Sequence, residues 1–401
     1  MTTASYNGIK LEPIGPIGII GHTSNKTFVE RISRVLSEKR NKRIDNSASP
    51  FVHRPGYLRS NYIIDTDLIR FQTGEGKLSL GESVRGHDVF IITDCVSPNL
   101  TIRLAEGEHI MSPDDHYRDL LRIVSTCVGK ARRINVIMPF VYEGRTETRQ
   151  NLRASLDCAA MLRQLYDLGV ANFICFDPHD ERIQNAVPLM GIEMPKSQYK
   201  LSKTLLDNFG SLKLDKDSTV VVSPDEMGVS RAIVYSSALS LPLGIFYRDR
   251  DYTIKVDGEH PIKTYRFLGD DITGKDVILI DDMINSGSTM LRTSTKLKSM
   301  GAKDIYCISP FGLFTDGLKR FDDAYADGII RAVVCTNLIY HNEELLKRDW
   351  YYDADMVPYV ARIIDGLNVD ESVYDLIHSS TRLSDYVKQM RIGEIFDEFN
   401  D

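Results

Sequence analysis

Val277 to Thr289 reads VILIDDMINSGST, and this stretch decides the fold. Val277-Ile278-Leu279-Ile280 is an unbroken apolar run, mostly β-branched. Such a run predicts a strand buried on both faces of its sheet. Asp281 and Asp282 follow at the strand's carboxyl end, where open α/β sheets place their ligands. Ser286-Gly287-Ser288-Thr289 comes next, and Met290 to Met300 predicts a helix stopped by Gly301. Glycine lets backbone approach a ligand closely, and helix-start amides with hydroxyls form an anion cradle. Two carboxylates repel a phosphate, so their place is to accept from a sugar diol or to hold a divalent cation. The competing reading is an ordinary strand–turn–helix with Asp282 and the serines as turn and cap residues. The combination of apolar run, acid pair, SGST and helix favours a site.

At 401 residues the chain allows two or three domains, each able to bury a core. A hydrophobic share of 42% and a charged share of 26% are those of a soluble globular protein. A net charge of −7 argues against a sequence-independent grip on nucleic acid. Cys95, Cys127, Cys158, Cys175, Cys307 and Cys335 are scattered and form no CxxC pair, so neither a zinc site nor a disulfide framework is indicated. No segment reads as a signal peptide or spans a bilayer, which predicts a cytoplasmic protein without a membrane partner.

Residues 1–14 read as a loose lead-in, followed by a strand at Ile17-Gly18-Ile19-Ile20 and a helix over about 26–38. The basic stretch EKRNKRIDNSASPFVHRPGYLRS, within about 38–62, has no clear period and reads as a solvated surface insertion. VRGHDVFII at 84–92 returns as ITGKDVILI at 272–280, and ARRINVIMPF at 131–140 returns as AKDIYCISPF at 302–311. Two echoes in the same order predict a duplicated α/β domain. Thr93-Asp94-Cys95 stands in the first copy where the second has its acid pair, so only the second half carries the phosphate cradle. Leu152, Leu156, Ala159, Leu162 and Tyr166 predict a helix ended by Gly169. Short strands alternating with helices predict mainly parallel sheets covered on both faces. The expected division is 15–190, 191–375 and a polar tail, 376–401, with one helix near 384–396.

Three more polar clusters follow predicted strands: Asp177-Pro178-His179-Asp180, Ser223-Pro224-Asp225, and Pro139 to Arg145. Each alone reads as a turn or a solvated charge. Together, over about residues 15–375, their order and spacing resemble ribose-phosphate diphosphokinases, the synthetases of phosphoribosyl diphosphate (PRPP). The matching phrases are Arg70 to Glu75 (RFQTGE), Val84 to Ile92, Asp177 with His179 and Gln184, Val221 to Gly228, Ile280 to Thr289, Val333 to Ile339 and Glu371 to Ile377. The turn 286–289 is also similar to the PRPP motif of type I phosphoribosyltransferases.

The resemblance implies two phosphoribosyltransferase-like domains, each a mainly parallel sheet flanked by helices. It implies transfer of diphosphate from ATP, with Mg²⁺, to the 1-hydroxyl of ribose 5-phosphate, giving PRPP and AMP. Carried over by position, Asp225, Asp281, Asp282, Asn285, Ser286, Gly287, Ser288 and Thr289 would hold ribose 5-phosphate. Phe71, Glu75, Arg145 and His179 would hold ATP, and His179 and Asp225 the metal. Phe71 and Glu75 reach the adenine, in this family from a neighbouring subunit, which implies a homo-oligomer, dimer or hexamer. The catalytic cations would be Arg248 and Arg250, in the YRDRD segment expected to be a flexible loop, with Lys255 or Lys263 as further candidates. Departures gather here. Asp249 falls where the family has an arginine, and an aspartate facing a triphosphate would repel it; Thr73, Thr146-Glu147, Asn285 and Ser288 also differ from the usual residues. The competing readings are a regulatory relative that binds nucleotide or sugar phosphate without catalysis, and a phosphoribosyltransferase.

Overall fold

The computed structural model describes residues 5–6, 9–10, 12–45, 51–149, 151–250, 262–377 and 379–392. The chain divides into two compact units: Met1–Lys196 with Leu338–Tyr340 and Asp355–Ile377, and Ser197–Asn337 with His341–Ala354 and His378–Asp401. The division thus follows Lys196, and Asp355–Ile377 packs with the N-terminal half although it is distant in sequence.

The first unit is built on a five-stranded parallel sheet in the order Gly191–Glu193, Asn172–Ile174, Arg133–Ile137, Asp88–Ile92, Ile17–Gly21. Asp88–Ile92 is buried throughout, as expected for a strand covered on both faces. Val89, Ile91, Leu120, Val136, Leu162 and Phe173 share one core cluster; burying each such side chain is worth about 1.5–3 kcal/mol. The helix Pro113–Cys127 starts where its sequence says it should. Ser112 caps it through the Asp115 amide, Asp115 returns the bond, and Pro113 opens the first turn. The helix expected from Leu152 begins only at Asp157 and ends at Asp167, and Leu152 is almost fully exposed. Its spacing with Leu156 is a coincidence of period.

The basic stretch at 38–62 is a correction. Its first part extends the helix Lys26–Asp45, and Arg40 is completely buried rather than solvated. Arg40 donates from Nε to Asp365 Oδ1 (2.8 Å), from Nη1 to the Tyr57 carbonyl (3.0 Å) and from Nη2 to Asn368 Oδ1 (2.9 Å). Its guanidinium lies 4.0 Å above the Tyr57 ring. Arg43 and Lys39 also approach Asp365, at 2.8 and 3.5 Å. A carboxylate buried on the helix Val357–Asn368 requires cations, and this stretch supplies them. Phe51, Tyr57 and Tyr62 are buried beside them.

The second unit has seven strands in the order Ile262–Leu268, Leu243–Arg250, Thr219–Ser223, Asp276–Ile280, Ile305–Ile308, Ala332–Thr336, Tyr351–Ala354. All neighbours run parallel except the first pair. The sequence echoes occupy equivalent places: Asp88–Ile92 pairs with Arg133–Ile137 in one sheet, and Asp276–Ile280 with Ile305–Ile308 in the other. The expected flexible loop after Phe246 is instead part of a strand, paired antiparallel through Arg250 with a register shift at Asp249/Arg250. Residues 251–261, Lys255 among them, lie outside the described ones. The tail helix runs over Ser379–Ile392, earlier than expected, and buries Leu383, Tyr386 and Val387 against the helices Gln198–Asn208 and Val229–Leu239. No helix among the described residues is long and apolar enough to cross a membrane.

Candidate active site

The turn 281–289 hangs from the carboxyl end of the fully buried strand Asp276–Ile280. The Asp281 amide donates to the Ile308 carbonyl of the next strand (3.1 Å), and Asp281 Oδ1 accepts from the Asp282 amide (2.9 Å). Met283–Ile284 then pairs with Phe311–Gly312, which fixes the turn against a second wall. That wall continues through Thr315, whose amide donates to the Asn285 carbonyl (3.0 Å) and whose hydroxyl donates to Asn285 Oδ1 (3.3 Å). Gly287 adopts φ 78° and opens the helix Ser288–Ser299. A Cβ there would lie 2.3 Å from Phe321 Cε2, so this position excludes any side chain. Ser286 Oγ donates to Ser288 Oγ (3.0 Å), and Arg320 Nη1 donates to the same oxygen (2.9 Å). Amides, hydroxyls and one guanidinium therefore gather at the start of this helix.

Asp225 follows Thr219–Ser223, the strand next to Asp276–Ile280. One of its carboxylate oxygens accepts from the Met227 (3.0 Å) and Gly228 (3.1 Å) amides, so it shapes its own turn as well as carrying charge. Burial, then the Asp282 and Asp225 carboxylates, push the Asp281 carboxyl well above its ordinary range. Three acids crowded at two strand ends hold a charge that a cation or a hydrogen-bonding diol would relieve. The antiparallel pair closes the other side: the Tyr265 hydroxyl donates to the Pro224 carbonyl (3.1 Å) and meets Thr293 Oγ1 (2.7 Å), while its ring stacks on Phe246 at 4.4 Å.

In the first unit, Phe71 and Glu75 cap the hairpin of Thr66–Arg70 with Gly76–Leu80. The turn is closed by the Phe71 amide on the Glu75 carbonyl (2.8 Å), and it leaves the Phe71 ring 49% exposed beside an exposed Glu75 carboxylate. An aromatic face next to an acceptor suits a flat base with an exocyclic amine. Arg70 anchors the hairpin through an ion pair with buried Asp119. Arg145 and His179 are both exposed, on the loops after Arg133–Ile137 and Asn172–Ile174. Asp94, the first-copy counterpart of the acid pair, is buried and accepts from the Val96 (3.1 Å) and Tyr340 (2.7 Å) amides. Its charge serves the fold.

Residues 17–169 match the model of the N-terminal domain of ribose phosphate pyrophosphokinase, and 200–330 match that of the phosphoribosyl transferase domain. The chain belongs to the ribose-phosphate pyrophosphokinase family. Among curated relatives, a ribose-phosphate pyrophosphokinase of Parasynechococcus marenigrum is 29% identical over 277 residues, 69% of this chain and 75% of that one. One of Mycoplasmopsis pulmonis is 26% identical over 311 residues, 76% and 86% of the two chains. A crystal structure of phosphoribosylpyrophosphate synthetase from Mycobacterium smegmatis superposes with a TM-score of 0.68 at 20% identity. It covers 88% of this chain and 98% of that one, and it establishes the shared fold.

The donors here suit a divalent cation that arrives with a triphosphate. Mg²⁺ takes oxygen ligands and binds through one or two carboxylates plus substrate phosphates. Among the described residues no group of three His, Cys, Asp or Glu is arranged as a metal cage. The crowded oxygens of Asp225, Asp281 and Asp282 fit a cation that arrives with its own phosphate ligands. His179, expected as its partner ligand, lies in the first unit and Asp225 in the second.

Arg320, Thr315, Phe321 and Tyr265 were not anticipated at this site. The signal was present in SPF at 309–311, which echoes MPF at 138–140 and marks a neighbouring strand end whose following residues must approach the turn.

Proposed function

We propose that this chain is a Mg²⁺-dependent, cytoplasmic ribose-phosphate diphosphokinase that works as a homo-oligomer. Its 1-hydroxyl acceptor, ribose 5-phosphate, attacks the β-phosphorus of ATP. The bond from that phosphorus to the oxygen bridging the α-phosphate breaks, AMP leaves, and the hydroxyl proton is released. The supporting observation is the pairing of functions in one chain: an anion cradle beside an acid pair in the second unit, and a family-specific N-terminal domain in the first. A phosphoribosyltransferase needs the cradle but has no need of an ATP-binding domain.

In this reading the amides and hydroxyls of Ser286 to Thr289 hold the 5-phosphate, and Asp281 and Asp282 accept from the ribose hydroxyls. Asn285 keeps the turn in register with Thr315. Phe71 stacks on adenine, Glu75 accepts from its amine, and Arg145 and His179 hold the triphosphate. Mg²⁺, held by Asp225 and His179 with the phosphates, would neutralise charge on the transferring group. Phosphoryl transfer needs such neutralisation and in-line placement more than a covalent nucleophile.

Arg248 and Arg250 supply the protein's own cations. Arg248 takes the register position opposite Tyr265, and Asp249 the position opposite Thr264. Calorimetric titration with ribose 5-phosphate tests the reading: wild type binds and Asp282→Ala loses most of the affinity. Equal affinity in the two proteins would sink the assignment of the acid pair to the sugar. A protein that binds but yields no product would be the regulatory relative.

A further inference from the structure

We infer that Arg320 is the cation of the sugar-phosphate cradle, held over it by Ser288. This rests on the reading of Ser286 to Thr289 as a sugar-phosphate turn. The cradle adjoins three carboxylates, and helix-start amides carry only partial charge. A phosphate monoester dianion therefore needs a full positive charge nearby, and among the described side chains on the turn's second wall Arg320 is in hydrogen-bond contact with it, 2.9 Å from Ser288 Oγ. The acidic neighbour of Arg320, Asp316, stands back at 3.8 Å, and the arginine side chain is 48% exposed. A guanidinium has five N–H donors, and the bond to Ser288 uses one.

Ser288 is polarised by the same arrangement. Its oxygen accepts from Ser286 Oγ and from Arg320 Nη1, which occupies both lone pairs. Its own O–H is then left to donate, and an anion in the turn is the acceptor it suits. The position is fixed from below. Phe321, next in the chain, is fully buried, stacks on Trp350 at 5.4 Å and fills the space over Gly287. The turn and the helix Lys319–Ala326 are thus wedged together, which fixes the backbone from which Arg320 reaches Ser288. The feature that Arg320 recognises is the dianionic phosphate of the sugar, while the acid pair takes its hydroxyls.

The test is calorimetry with ribose 5-phosphate and with unphosphorylated ribose, at low and at high salt. Charged hydrogen bonds are worth about 10- to 100-fold in affinity, so Arg320→Ala should weaken ribose 5-phosphate by roughly that factor. Arg320→Gln, which keeps a donor for Ser288 without the charge, should do nearly the same and should flatten the salt dependence. Arg320→Lys should recover part of the affinity through charge alone. Trp350 emission and melting serve as the folding control; where Arg320→Ala disturbs them, the glutamine variant carries the test. Wild-type affinity and salt dependence in Arg320→Gln would overturn the inference while leaving the sugar-phosphate reading intact. Failure of the wild type itself to bind ribose 5-phosphate would overturn both.

Discussion

Replacing Gly287 by alanine strikes the cradle with a single methyl group, and the structure sets the size of the effect. Gly287 has φ 78°, a left-handed conformation that costs a non-glycine residue about 1–2 kcal/mol. The added Cβ would lie 2.3 Å from Phe321 Cε2 and 2.5 Å from Cζ. Phe321 cannot swing clear, because its ring stacks on Trp350 at 5.4 Å and meets Phe314 edge-on at 5.1 Å. Overpacking of this kind costs about 1–3 kcal/mol, so the two terms together predict about 2–5 kcal/mol. Trp350 is the chain's sole tryptophan and lies in the strained cluster, so its fluorescence in urea reports this unit directly. The expected outcome is a lowered midpoint with an unchanged slope, together with lost ribose 5-phosphate binding. The cost should also be non-additive. In a Phe321→Ala background only the backbone term should remain, which gives a coupling of about 1–3 kcal/mol. A midpoint equal to wild type, or strict additivity with Phe321→Ala, would refute the wedge between the turn and its second wall.

Other outcomes follow from the buried charges and thiols. Asp281→Asn should stabilise the free protein by about 0.5–2 kcal/mol, as relief of a strained site does, while weakening the sugar. Because the folded Asp281 carboxyl is raised, wild-type stability should climb as pH falls through that folded value towards the unfolded one near 3.9; urea melts of the variant should lack this climb. Asp365→Ala leaves Arg40 buried without its counter-charge and should cost about 3–5 kcal/mol in thermal or urea unfolding. Burial alone would raise Asp365, but Arg40, Arg43 and Lys39 overturn that and hold it below the carboxylate range. Its stabilisation is therefore full above the unfolded value and should disappear as pH falls through the depressed folded one. All six cysteines are buried and unpaired, with Cys95, Cys158 and Cys307 pushed up to about 12 by burial. A thiol reagent at neutral pH should label none of them quickly in the native protein and all six in urea.

Much of the fold was legible because its signals are local. The run Val277 to Ile280, the acids after it and the glycine turn are contiguous, and the sheet placed them where the pattern required. The duplication was legible for the same reason, since each echo is one strand with its preceding turn. What stayed hidden was non-local. Arg40 reads as a solvated lysine-like charge until Asp365, 325 residues away, is placed beside it. Arg320 meets Ser288 across 32 residues. The polar segment Tyr247 to Arg250 has the composition of a loop, and only its ladder with 262–268 makes it a strand. Thr93-Asp94 and Asp281-Asp282 occupy equivalent strand ends, yet Asp94 is held by amides and Asp281 is crowded by acids. That difference depends on neighbours that the local sequence does not contain.

The measurement that tests the central claim most directly is AMP formation from ATP, Mg²⁺ and ribose 5-phosphate, with inorganic phosphate present and Asp282→Ala as control. The account predicts equimolar AMP and PRPP from wild type and loss of both in Asp282→Ala. Ribose 5-phosphate binding without any AMP would contradict it, and would make this chain a binding relative of the enzymes it resembles.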